Sequence, residues 1–166
     1  MSLFENEEYQ WRETFFILFQ EENRPDAAQV ETLLREIDPR YRVSNVRATD
    51  TGLLESLTLE SPDDYSAMDI SLVYGDEVTE QTTELMAELI QGAETNEEKL
   101  QIESLATCRC RFDIYHFEQL VFVGRDDGAE DGGDDFMDPG AVLTVMEKIA
   151  TVCNGIVVDP QANTII

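Results

Sequence analysis

An unbroken apolar run near the N-terminus constrains the fold of this chain most. Residues 15–19 read Phe-Phe-Ile-Leu-Phe, without the polar alternation of a strand that has one wet face, and Thr14 and Gln20 bound the run. Such a segment is typical of a strand that is covered on both faces at the centre of a sheet. It is far too short to span a bilayer. We therefore expect a sheet built around this strand, in a protein with no membrane partner.

The remaining sequence alternates between helix and strand patterns. Apolar residues at helical spacing predict helices after Pro25, over 76–92 and over 139–153, and the capping box Thr95–Glu98 predicts a short additional helix. Strand patterns cover residues 41–48, 53–60, 68–74, 108–115, 120–123 and 155–159. In the fourth of these patterns we expect one face to be buried and the other exposed. The inward set is Cys108, Cys110, Phe112 and Ile114, and the outward set is Arg109, Arg111, Asp113 and Tyr115.

The order of these elements predicts an α+β fold. We expect a mixed or antiparallel sheet with helices packed on one face, in which a ferredoxin-like β-α-β-β core carries an appended C-terminal helix and strand. No change of composition marks a domain boundary, so residues 1–166 are predicted to form a single α+β domain. Glycine and acidic residues predict a surface loop over 124–138.

The charge of the chain restricts its partners. Acidic residues number 36 and basic residues 11, which gives a formal net charge of −25. A field of this sign repels nucleic-acid phosphates and anionic membranes and attracts basic proteins. We therefore predict no nucleic-acid partner and a possible basic protein partner. Three cysteines imply no disulfide framework, and the N-terminus lacks the pattern of a signal peptide, so the predicted location is cytoplasmic.

Acidic residues also line one side of the helix predicted over 76–92. Such a row is either a solvated helix face or a surface for a basic partner, whose extreme form would be a mimic of DNA phosphates. These candidate partner-binding residues are Glu77, Glu80, Glu84 and Glu88.

The glycine-rich acidic loop is the candidate metal site. Calcium prefers several oxygen ligands on a flexible segment, but an EF-hand requires glycine at its sixth position and glutamate at its twelfth. Counted from Asp126, those positions hold Asp131 and Met137. The loop is thus either a weak divalent-cation site or a solvated acidic segment. The candidate ligands are Asp126, Asp127, Glu130, Asp131, Asp134 and Asp135.

The sequence offers little support for catalysis. His116 is the only histidine, and with the cysteines it forms either a soft metal site or part of the core. No nucleophile elbow, phosphate-binding loop or dinucleotide-binding motif is present, so we name no catalytic residue and predict no cofactor. The leading interpretation is a non-catalytic protein-interaction module with a strongly acidic surface. Two alternatives stay open: a small metal-dependent or small-molecule enzyme centred on His116 and the acidic loop, and an acidity that reflects salt adaptation alone.

Overall fold

The computed structural model describes residues 3–120 and 139–166. In that part the chain forms four helices and seven strands. The helices are α1 (Ala27–Ile37), α2 (Asp76–Gly92), α3 (Asn96–Ser104) and α4 (Pro139–Cys153). The strands are β1 (Tyr9–Phe19), β2 (Arg42–Ala48), β3 (Leu54–Ser61), β4 (Ser66–Tyr74), β5 (Cys110–Gln119), β6 (Ile156–Asp159) and β7 (Thr164–Ile165).

All neighbouring strands pair antiparallel, in the order β2-β3-β4-β5-β1-β6-β7. The N-terminal apolar run therefore lies in an interior strand, as its pattern predicts. Phe15, Ile17 and Phe19 enter one apolar cluster, while Phe16 and Leu18 enter another. Because successive side chains of a strand point to opposite faces, both faces of β1 are covered.

The strand order corrects the ferredoxin-like prediction. In a ferredoxin-like sheet the second strand of the β-hairpin lies directly beside the first strand. Here β4 and β5 separate β3 from β1. After β3, a short 3₁₀ turn at Pro62–Asp64 returns the chain as a third consecutive antiparallel strand, β4. β5 then pairs along both β4 and β1, which places it at the centre of the sheet.

The helices cover both faces of the sheet, which corrects the prediction that they pack on one. Helices α1 and α4 pack on the face that carries Phe15 and Ile17, and together they enclose the larger core. Helices α2 and α3 pack on the opposite face, against Leu18 and Val158. Within residues 3–120 and 139–166, no helix is long and apolar enough to cross a bilayer.

The β5 strand also differs from its predicted amphipathic form. Arg111 and Asp113, expected to be exposed, are buried because α2 covers their end of the second face. Two further predicted strand limits have separate outcomes. Most of the strand predicted over 120–123 falls outside the described residues. The sequence predicts that the last strand ends at Pro160, but the structure has one more short strand, β7, after that proline.

Candidate functional site

The predicted acidic row forms on α2 as expected. Glu77, Glu80, Glu84 and Glu88 are all exposed. With about 100° between successive residues, the four side chains fall within an arc of about 80° and step about 4.5–6 Å along the axis. The row is therefore a narrow line of carboxylates, which we call the α2 acidic row.

Burial of the opposite side of α2 turns this row toward solvent. Val78 and Leu89 pack in one apolar cluster with residues of the sheet and α3, and Thr82 is also buried. The first turn also carries Asp76 and Glu77, where acidic side chains are favoured by the partial positive charge of a helix N-terminus. The amphipathic pattern thus fixes which side of α2 faces solvent.

Helix α3 extends the negative surface beyond the row. Its N-cap is the predicted capping box, in which Thr95 Oγ1 accepts a hydrogen bond from the Glu98 amide at 3.1 Å. Over residues 76–104 the chain has nine carboxylates and one basic residue, Lys99, and all nine carboxylates are exposed. We call this region the acidic helical surface. It offers a basic partner a field of one sign over two helices.

A buried ion pair beneath α2 was not predicted from the sequence. The guanidinium of Arg111 binds both carboxylate oxygens of Asp113, and the Nη2–Oδ2 distance is 3.2 Å. Arg111 Nη1 donates to Gln81 Oε1 of α2 at 2.6 Å, and the guanidinium carbon lies 4.3 Å from the centre of the Phe16 ring. Gln81 in turn donates to Glu77 Oε1 at 3.4 Å. The pair therefore ties the first turns of the acidic row to the centre of the sheet.

A polar groove lies on the same face of the sheet. It crosses β2, β3 and β4, encloses about 280 Å³, and is lined on its floor by Thr58, Asp69 and Ser71. Thr58 Oγ1 donates to Asp69 Oδ1 at 2.6 Å, and Asp69 Oδ2 accepts from the Leu3 amide at 3.1 Å. Arg47 is the basic residue at its rim. A solvated face of this kind is common in antiparallel sheets, so the groove needs no ligand to account for it.

His116 lies within the core rather than at a cavity. It is fully buried, with Nδ1 3.2 Å from Glu13 Oε1, and Nε2 has no hydrogen-bond partner among the described residues. Burial lowers the pKa of His116, and the neighbouring carboxylates of Glu13 and Glu118 only partly oppose this effect. A neutral histidine with no solvent access favours the structural interpretation over a catalytic one.

The three cysteines are free and buried. Burial raises the pKa of Cys108 to about 11 and that of Cys153 to about 12, and it also raises the pKa of Cys110. Because the thiolate is the reactive and metal-binding form, these thiols are poor nucleophiles and poor ligands. Cys110 and Cys153 belong to the larger apolar core, as expected of small hydrophobic side chains.

The predicted metal ligands of the acidic loop fall outside the described residues. These are Asp126, Asp127, Glu130, Asp131, Asp134 and Asp135. In the part of the chain that the structure does describe, no three histidine, cysteine or acidic side chains converge on a point where a metal ion could bind.

Comparisons with known proteins add no assignment to this geometry. No protein-family model matches the chain, and no curated protein or solved structure does.

Proposed function

We propose that this protein is a non-catalytic protein-binding module whose acidic helical surface selects a basic partner. One observation carries the proposal: nine exposed carboxylates and a single lysine lie on the two helices that cover one end of the second sheet face and on the segment that joins them. Complementary charge steers association and rejects partners of like charge. The role of the surface is to bring the partner in and to orient it.

Hydrogen bonds beneath the α2 acidic row favour a surface that binds a partner over one that only contacts solvent. Gln81 binds both Glu77 on the row and the buried Arg111 beneath it. A helix anchored to the sheet by a buried ion pair keeps the backbone positions of its acidic residues fixed, which lowers the ordering cost of binding. The row thus provides a preorganised line of negative charge.

The experiment compares two variants of equal net charge. The first replaces the α2 acidic row: Glu77→Gln, Glu80→Gln, Glu84→Gln and Glu88→Gln. The second replaces four exposed glutamates on other elements: Glu7→Gln, Glu22→Gln, Glu36→Gln and Glu55→Gln. Each immobilised protein is incubated with lysate of the source organism and eluted with increasing salt.

The proposal predicts one basic protein captured in stoichiometric amount by the wild type and by the second variant, and lost from the first. Equal capture by both variants would show adsorption by net charge, and no captured protein would show that the surface is only solvated. Either result would overturn the proposal. If the captured protein is released by duplex DNA, the surface acts as a mimic of DNA phosphates.

A further inference from the structure

A cavity lies at the β7 edge of the sheet. It encloses about 720 Å³, and its walls come from α4, from β6 and β7, and from Gln101 of α3. A smaller cavity of about 220 Å³ adjoins it on the α3 side and shares Gln101 and Ile165 with it. The two cavities together form a trough that has β7 at its base, and we call it the edge trough.

Strand β7 presents an open backbone edge to this trough. It is the last strand of the sheet in the described residues and pairs with β6 through Val158–Ile165 and Asp159–Thr164. The Ile166 amide donates to the Val157 carbonyl at 2.9 Å, so that amide points toward β6. Because hydrogen-bonding direction alternates along an antiparallel strand, the N–H and C=O of Ile165 point away from β6. No residue of 3–120 or 139–166 pairs with these two groups from outside the sheet, so within the described chain this edge is open to another strand.

The two sides of the edge trough differ in chemistry. On the α4 side the lining is mainly apolar, with Leu143, Met146 and Ala150 facing β6 and β7. On the α3 side Glu94 and Glu98 line the smaller cavity, and both are exposed. The lining of the two cavities includes a third glutamate, Glu147, and neither a lysine nor an arginine.

We infer that the edge trough binds an extended segment of a basic partner, which adds to β7 as an eighth strand. Side chains of an added strand alternate between the two sides of the sheet. Apolar side chains of the partner would enter the larger cavity beside α4, and lysine or arginine side chains would meet Glu98 of α3 and Glu94, which precedes that helix. The inference rests on the proposed function, since it specifies how a basic partner is held.

A defined peptide tests this site. The probe is acetyl-Lys-Val-Lys-Val-Lys-Val-amide, and its binding is measured by isothermal titration calorimetry. The decisive variant is Ile165→Pro, because proline removes the outward amide, which takes no part in the β6–β7 pairing, and proline is tolerated on edge strands. The matched control is Ile165→Ala, which loses the side chain and keeps the amide. We expect Ile165→Pro to bind the peptide at least about tenfold more weakly than Ile165→Ala does.

A second measurement uses the wild-type protein only. The same peptide with the backbone amides of all six residues N-methylated keeps its charge and side chains but loses those backbone donors, and its affinity should fall by at least about tenfold. A peptide with glutamate in place of lysine should not bind. Equal affinity for the methylated and unmethylated peptides would overturn the inference, as would a Kd of the unmodified peptide weaker than about 1 mM.

The outcome is distinguishable from failure of the proposed function. If Ile165→Pro and Ile165→Ala bind the peptide equally while the variant of the α2 acidic row loses the partner captured from lysate, the edge site is wrong and the proposed function stands. If the peptide binds as expected and the lysate partner is captured equally by the two charge-matched variants, the acidic surface fails as the selecting element.

Discussion

At the scale of single residues, Arg111 is the side chain whose loss should cost most. Arg111→Met leaves the Asp113 carboxylate buried without its partner, and breaking a buried pair in this way costs about 3–5 kcal/mol. Arg111→Met combined with Asp113→Leu removes both charges and should recover most of that loss. Urea unfolding of the two variants measures the difference in unfolding free energy. If the double variant is no more stable than Arg111→Met, the unpaired Asp113 carboxylate is not the cause of the loss.

His116 should make stability depend on pH. Since burial lowers its pKa below the ordinary 6.5, the unfolded chain binds the proton more readily than the folded one. The wild type should therefore lose stability relative to His116→Asn as pH falls below about 6.5, by up to about 1.4 kcal/mol per pH unit, until the folded pKa is reached. Above that pH the difference should be constant. Urea unfolding of both proteins between pH 4.5 and 8 tests this prediction. The variant keeps every carboxylate and so shows the part of the pH dependence that is due to the acidic groups. A difference in unfolding free energy that stays constant over this pH range would refute the prediction.

At the scale of elements, the junction of α4 with β6 is packed so closely at Gly155 that one added methyl group tests it. Asn154 takes the left-handed conformation that ends α4, with φ at 53°, so Gly155 is required for space rather than for its backbone angle. A Cβ at Gly155 would lie 2.7 Å from Ile17 Cγ2 and 3.0 Å from the Leu18 carbonyl oxygen. Gly155→Ala should therefore lower the unfolding free energy by about 1–3 kcal/mol.

Gly92→Ala is the matched control for that substitution. No atom lies within 4 Å of a Cβ built at Gly92, and the residue ends α2 without a positive φ. Alanine there should be neutral or should stabilise the protein by up to about 1 kcal/mol, because it lowers the entropy of the unfolded chain. Thermal unfolding of the two variants gives the comparison. Equal losses at both positions would contradict the close packing at Gly155.

At the scale of the whole molecule, the net charge of −25 should make the fold sensitive to salt. Raising sodium chloride from about 10 mM to about 1 M shortens the Debye length from about 30 Å to about 3 Å and screens repulsion among the carboxylates. The urea midpoint of the wild type should rise over this range. It should rise less for the variant of the α2 acidic row, which carries four negative charges fewer. A midpoint that does not move would argue against salt adaptation as the reason for the acidity.

Local patterns account for the elements but not for their arrangement. The run at Phe15–Phe19 predicts an interior strand. The spacing of Val78, Leu85 and Leu89 predicts both α2 and its exposed acidic row, because the period of apolar residues in a sequence indicates which face of an element is buried. The predictions of one domain and of a cytoplasmic location stay predictions. The pairing of β5 between β4 and β1, and the placing of helices on both faces, depend on contacts between distant residues that no local pattern encodes.

The sign of the surface, the α+β class and the outward side of α2 follow from composition and periodicity, so they could be read from the chain alone. Which individual polar residues are buried depends instead on how the helices pack on the sheet. Arg111 and Asp113 alternate like an exposed face and are buried because α2 lies over them. The edge trough likewise exists because α3 and α4 flank a two-residue strand at the end of the sheet, and such a surface arises only when separate segments meet.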